Sequence, residues 1–119
     1  MTESDYKLLK QIEKRPAMWT GDNTLKSIHT YLCGYYHALH ENGLVDETNA
    51  TEPFFDWIAK KLNYNESTAG WAKMILASSM GLDSKNVNWD NYDSHVTNEQ
   101  HKASIKRFYE LLEEFVNEK

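Results

Sequence analysis

The sequence has one cysteine, Cys33, and no long hydrophobic run. A single cysteine excludes an intramolecular disulfide and the paired-cysteine zinc motifs, and it favours a reducing compartment. No run of about 18 apolar residues occurs, which argues against a transmembrane helix. The N-terminal residues MTESDYKLLKQ lack the basic and apolar segments of a signal peptide. We therefore expect a cytoplasmic protein with no membrane partner.

Positive charge is also scarce, with 13 Lys and Arg against 18 Asp and Glu and a formal net charge of -5. Binding to nucleic acid requires clustered Lys and Arg that neutralise phosphates, so we expect no nucleic-acid partner. Acidic side chains concentrate in residues 41–56, which contain no Lys or Arg, and in residues 83–99, which contain only Lys85. This distribution favours a basic or neutral protein partner.

Motifs for catalysis and cofactor binding are absent from the sequence. The five glycines stand singly, without a phosphate-binding loop, a dinucleotide motif or a nucleophile elbow. Cys33 lies within a predicted helix among aromatic residues, where we expect a small, buried and inert side chain. We assign no catalytic residue, cofactor or metal ligand, and we expect that the protein is not an enzyme.

Histidines provide the main alternative, a small metal-binding helical bundle with hydrolase activity. His29, Cys33 and His37 are spaced four residues apart, but a rise of about 1.5 Å per residue separates the two histidines by about 12 Å along the helix. A pair such as His37 and His40 would need a third ligand from another element. The candidate donors for this ligand are Asp56, His95 and His101. The favoured interpretation is that these histidines are surface or packing residues.

Apolar residues recur at helical intervals along almost the whole chain, which predicts an all-α fold. We expect residues 1–119 to form one compact domain, a bundle of about five helices. The predicted helices cover approximately residues 4–15, 24–42, 53–62, 68–80 and 97–117, and the second is expected to be central. The last helix is predicted to begin with a capping box formed by Thr97 and Gln100. Residues 16–21 are predicted to form a turn, with Met18 and Trp19 plugging the end of the bundle. Residues 82–96 are predicted to form a long polar loop before the last helix.

Two aromatic residues, Trp89 and Tyr92, lie in this polar loop, where no helical pattern requires them. One interpretation is that they fold back over the core as a lid. The other is that they anchor a protein interface, because Trp and Tyr are enriched among the residues that dominate binding energy. The sequence leaves both interpretations open.

Part of the sequence resembles a group of small, largely uncharacterised bacterial proteins. Residues 14–21, KRPAMWTG, are similar to the Arg-Pro-x-Met-Tyr-x-Gly motif near the start of these proteins, with Trp19 in place of tyrosine. Residues 32–35, 54–59 and 67–76 resemble later parts of the same group. Some members look like immunity proteins encoded beside secreted toxins. The resemblance implies a protein-binding function and no catalytic residue.

The favoured hypothesis is a non-catalytic protein-binding module, an immunity protein that neutralises a cognate bacterial toxin. Acidic loops would accelerate association with a basic partner, and the loop aromatics would provide a buried anchor. The predicted partner-binding residues are Asp46, Glu47, Glu52, Asp83, Trp89, Asp90, Tyr92 and Asp93. A homodimeric interaction module is a further alternative.

Overall fold

Six helices make up most of the described chain. The computed structural model of the protein describes residues 3–44, 52–64, 70–83 and 87–118. The helices are α1 (Glu3–Lys14), α2 (Pro16–Thr20), α3 (Leu25–Glu41), α4 (Glu52–Lys61), α5 (Trp71–Ser79) and α6 (Asn98–Asn117). These ranges contain no β-strand, and the predicted all-α class is confirmed. Within the same ranges, no helix combines the length and apolar character needed to cross a bilayer.

Side-chain caps define where two of the long helices begin. The Thr24 hydroxyl accepts a hydrogen bond from the Ser27 backbone N–H and caps α3. Thr97 and Gln100 form a reciprocal capping box at α6, with N···O distances of 3.1 and 2.9 Å. Such caps satisfy backbone N–H groups that have no partner within the helix. The capping box predicted for the last helix is therefore confirmed.

The segment between the first two long helices differs from the prediction. Pro16–Thr20 form the short helix α2, where a turn was expected. Proline is compatible with the first helical position, and Gly21, with φ of 94°, ends the helix by donating its N–H to the Ala17 carbonyl. Consecutive helical residues point about 100° apart, so adjacent side chains cannot share one direction. Trp19 packs edge-on to Tyr31, whereas Met18 is 69% exposed and does not plug the bundle.

The centre of the fold is α5, not the longer α3. Six of the nine α5 residues are buried, and α5 contacts α3, α4 and α6. In α3 only Leu25, Ile28 and Leu32 are buried, so this helix has one inner face. A short helix that is apolar on nearly all sides must be surrounded by other elements. The expectation that the second predicted helix is central is therefore wrong.

Aromatic rings fill the space between α4, α5 and α6. The Phe54 ring is fully buried, with centroid distances of 5.5 Å to Trp71, 5.9 Å to Phe108 and 5.2 Å to Phe115. Trp71 also stacks on Phe108 at 4.8 Å. Edge-to-face and offset aromatic pairs contribute about 0.5–1.5 kcal/mol each beyond the area they bury. This cluster packs α4, α5 and α6 against one another.

Candidate functional site

Residues 87–96, called here the acidic segment, form a series of turns before α6. The Asn88 carbonyl accepts hydrogen bonds from the backbone N–H groups of Asn91 and Tyr92 at 3.2 and 2.9 Å. The Asn88 side-chain oxygen accepts another from the Asp90 N–H at 3.1 Å. Asn, Asp and Ser favour such turns because their side chains bond to nearby backbone groups. The polar composition that predicted a loop thus also explains its local structure.

Aromatic contacts attach the acidic segment to the hydrophobic core. The Trp89 ring contacts Tyr64 and Tyr92, with centroid distances of 5.7 and 5.2 Å. Tyr64 is buried, and Trp89 and Tyr92 are partly buried. Burial raises the pKa of both tyrosine phenols, because the charged phenolate would lose hydration. The two loop aromatics therefore cover the core, and a role in binding a partner stays a prediction.

The acidic side chains of this region point toward solvent. Asp90 and Asp93 are exposed on the acidic segment itself. Asp83 is also exposed, and its charge adds to the effect of burial in raising the pKa of Tyr64. The structure thus brings five predicted residues into one region: Asp83, Trp89, Asp90, Tyr92 and Asp93. The other predicted residues, Asp46 and Glu47 and the side chain of Glu52, lie outside the described residues.

A cleft of about 320 Å³ adjoins the acidic segment. It lies between the start of α3, the outer side of α5, the acidic segment and the second turn of α6. Its charged and polar lining, called here the polar cleft, includes Asp22, Lys26, Lys73, Tyr92, Asp93 and His101. Ala72 and Leu76 add an apolar surface. None of Asp22, Lys26, Lys73 and His101 was predicted as a partner-binding residue.

Asp22 is held in place at one side of the polar cleft. Its Oδ1 accepts hydrogen bonds from the backbone N–H and the hydroxyl of Thr24, at 3.1 and 2.8 Å. Burial works to raise the pKa of Asp22, but hydrogen bonds from Thr24 and Ser27 outweigh it, and His101 nearby also favours the carboxylate. The net result is a pKa below the ordinary value. Asp22 is therefore a fixed negative charge at neutral pH.

The other charges of the polar cleft do not neutralise one another. The ion pairs of the described residues lie elsewhere, on Lys10, Lys61 and Lys102. Lys26 and Asp93 are exposed, and Lys73 is partly buried. The His101 Nδ1 atom is buried and has no hydrogen-bond partner within the described chain. Groups of both signs thus surround one cleft, and none of them lies within 4 Å of an opposite charge on another described residue.

Cys33 on α3 is not buried, contrary to the prediction from the sequence. Cys33 is exposed, because it follows the buried Leu32 and is rotated away from the core. Its Sγ lies 3.7 Å from the Nε2 of His29. Partial burial raises the pKa of the Cys33 thiol and lowers the pKa of His29, so each group is held in its neutral form. This pair lacks the thiolate character of a reactive cysteine.

The histidine alternative also requires three ligands close together. Across the described ranges, no three His, Cys, Asp or Glu side chains are grouped so that they could hold a metal ion. His37 and His40 are both exposed on α3. The expected third donors, Asp56, His95 and His101, are therefore not brought to them. The metal-binding alternative gains no support from this geometry.

The residues of the polar cleft have only a weak signature in the sequence. They come from four separate segments, and no spacing rule connects Asp22, Lys73 and His101. The one local feature is Asp22-Asn23-Thr24 before an apolar helix, which resembles a helix cap. Only the packing of α3, α5 and α6 places these side chains together.

Known proteins give no further guide to the site. Comparisons of the chain with protein-family models, with curated protein sequences and with solved structures find no match. The similarity of residues 14–21 to a bacterial group stays a prediction.

Proposed function

We propose that this protein is a non-catalytic protein-binding module and that its partner contacts the acidic segment. The observation that supports this proposal most strongly is the packing of Trp89 against both Tyr64 and Tyr92. This packing fixes the segment before a partner arrives. A preformed surface loses less conformational entropy on binding than a free loop would.

The chemistry of the acidic segment favours a partner with a basic surface. Asp90 and Asp93 are exposed beside the partly buried rings of Trp89 and Tyr92. The chain carries a net charge of -5, so long-range attraction would accelerate association with a positively charged partner. The exposed edges of the two rings would then provide apolar contact once the surfaces meet.

The proposal extends to the identity of the partner, a secreted bacterial toxin neutralised in the cytoplasm. Support for this extension comes from the resemblance of residues 14–21 to proteins that include immunity proteins, and from the single cysteine. The test is the growth of cells that express the product of the gene adjacent to this protein's gene, with and without this protein. We expect the protein to restore growth. Unchanged toxicity, with both proteins expressed, would contradict the toxin assignment.

Charge reversal of the acidic segment tests the binding function itself. Wild-type protein and an Asp90→Lys/Asp93→Lys variant are immobilised and exposed to extract from the native organism. The matched control is Glu110→Lys/Glu118→Lys, because both glutamates are exposed outside the two acidic stretches and the net charge changes equally. Captured proteins are then purified, and their dissociation constants are measured for the three immobilised proteins.

The expected outcome is one partner whose affinity is unchanged by the control and reduced at least about 10-fold by reversal in the acidic segment. An equal loss of partner affinity in both double variants would indicate that binding depends on net charge alone. Unchanged affinity in both double variants would indicate that the partner binds another surface of the protein. Either result would contradict the proposal.

A further inference from the structure

We propose that the polar cleft is a binding site for a small zwitterion with an aliphatic body, of which a free aliphatic amino acid is the simplest example. The inference goes beyond the proposed protein-binding function and does not depend on it. Its basis is a small cleft with an apolar surface, lined by charges of both signs that form no ion pair with one another or with other described residues.

Charges of both signs line the polar cleft. Lys26 and Lys73 contribute two cations to the cleft, and Asp22 and Asp93 contribute two carboxylates. None of the four takes part in an ion pair of the described chain. A purely anionic ligand would meet the two carboxylates, and a purely cationic ligand would meet the two lysines. A ligand that carries one charge of each sign can complement both sets.

The positions of the charged groups also suggest an orientation for the ligand. Lys26 belongs to the first turn of α3 and contributes a cation to the cleft, beside an Asp22 carboxylate that already accepts hydrogen bonds from Thr24. Lys73 on α5 adds to this positive side. Asp93 directly follows Tyr92 on the acidic segment, where an ammonium group would find a carboxylate and an aromatic ring.

Size and apolar surface define the class of zwitterion. Small-molecule sites have volumes of about 300–1,000 Å³, so a cleft of about 320 Å³ lies at the lower end. A nucleotide or a drug-sized molecule would not be enclosed. Ala72 and Leu76 are almost fully buried side chains of α5 whose remaining exposed surface lines the cleft. This surface suits a short aliphatic group.

L-Leucine and two analogues test the proposal on the wild-type protein. The analogue 4-methylpentanoate lacks the ammonium group, and 3-methylbutylamine lacks the carboxylate. Calorimetry gives the affinities, and backbone amide NMR shifts locate the bound molecule. We expect saturable binding of L-leucine, with shifts at Lys73, Tyr92 and His101, and at least about tenfold weaker binding of each analogue.

Matched substitutions test the same site from the protein side. Lys73→Gln and Asp93→Asn each remove one charge of the cleft, and we expect at least about tenfold weaker leucine binding for each. Lys60→Gln and Asp56→Asn are the controls, because both residues are exposed on α4 away from the cleft. Thermal melting confirms that each variant is folded.

Three results would overturn the proposal. The first is no saturable binding of L-leucine up to about 10 mM. The second is an analogue that binds as tightly as leucine, because one charge would then be sufficient. The third is equal leucine binding by the cleft variants and the α4 controls. The leucine experiments contain no partner protein. Their failure would therefore leave the proposed protein-binding function, which the charge-reversal experiment tests, unaffected.

Discussion

The Trp89 indole packs against the buried ring of Tyr64, with centroids 5.7 Å apart and ring planes inclined by 54°. Tyr64 follows α4, and Trp89 belongs to the turns before α6. This contact therefore joins two connecting segments across the surface of the bundle. It makes the acidic segment part of the folded core while its carboxylates stay exposed.

Trp89→Ala should destabilise the fold, because it removes the packing of the indole on Tyr64 and Tyr92. We expect a loss of about 1–3 kcal/mol in the free energy of unfolding, less than the loss of about 3–5 kcal/mol typical of a fully buried aromatic side chain. Urea denaturation followed by circular dichroism measures the change.

The neighbouring substitution Asp90→Asn is the control for this prediction. Asp90 is exposed, so the free energy of unfolding should change by no more than about 0.5 kcal/mol. If Trp89→Ala were equally neutral, the indole would not hold the acidic segment, and the preformed surface proposed above would lose its physical basis.

Phe54→Ala should be among the most destabilising single substitutions. The ring has 0% exposure and contacts aromatic residues of α5 and α6, so truncation leaves a cavity at their junction. A loss of about 3–5 kcal/mol is expected from chemical denaturation. The adjacent Phe55 is only partly buried, so Phe55→Ala should reduce the free energy of unfolding clearly less than Phe54→Ala does. Equal losses would contradict the assigned inner face of α4.

Alkaline pH should weaken the fold through its buried tyrosines. Burial raises the pKa values of Tyr64, Tyr92 and Tyr109 above the ordinary value of 10.0, so the folded state retains phenol protons that the unfolded state releases. Their contribution to stability is complete below pH 10 and declines as the pH rises further. In Tyr92→Phe, the free energy of unfolding should decline less steeply above that pH. An unchanged slope would contradict the burial of the Tyr92 phenol.

Mild acid should weaken the fold through His29. Burial lowers the pKa of His29 from the ordinary value of 6.5, and the imidazole packs edge-on to Trp71 with centroids 4.7 Å apart. The unfolded state therefore binds a proton more readily, and the free energy of unfolding falls as the pH drops below 6.5.

His29→Gln should reduce this acid dependence, measured as the difference in unfolding free energy between about pH 7 and about pH 5. The control is His37→Gln, because His37 is exposed on the same helix. If both variants retained the full acid dependence, other groups would be responsible, and the effect assigned to His29 would be wrong.

Local patterns were sufficient to predict most of the helices. The Thr97–Gln100 capping box and the apolar spacing after it predicted the last helix closely, because both depend on neighbouring residues. The short α2 was missed because five residues are too few to show a helical period. The central position of α5 was missed because a helix that is buried on most sides lacks a distinct polar face.

The acidic segment was partly predictable from the sequence, whereas the polar cleft was not. Composition alone marked Trp89 and Tyr92 as unusual in an acidic loop, although it did not reveal their packing on Tyr64. The polar cleft depends on which helices are neighbours, and no local pattern connects Lys26 with Lys73 and His101. Long-range packing thus creates the feature that the sequence could not indicate.

Hydrogen exchange of the protein with and without its captured partner tests the central claim most directly. If the acidic segment is the binding surface, amide exchange should slow in residues 87–96 and in the adjacent end of α4, and the exposed face of α3 around His37 should be unaffected. Slower exchange confined to α3, with residues 87–96 unchanged, would contradict the account.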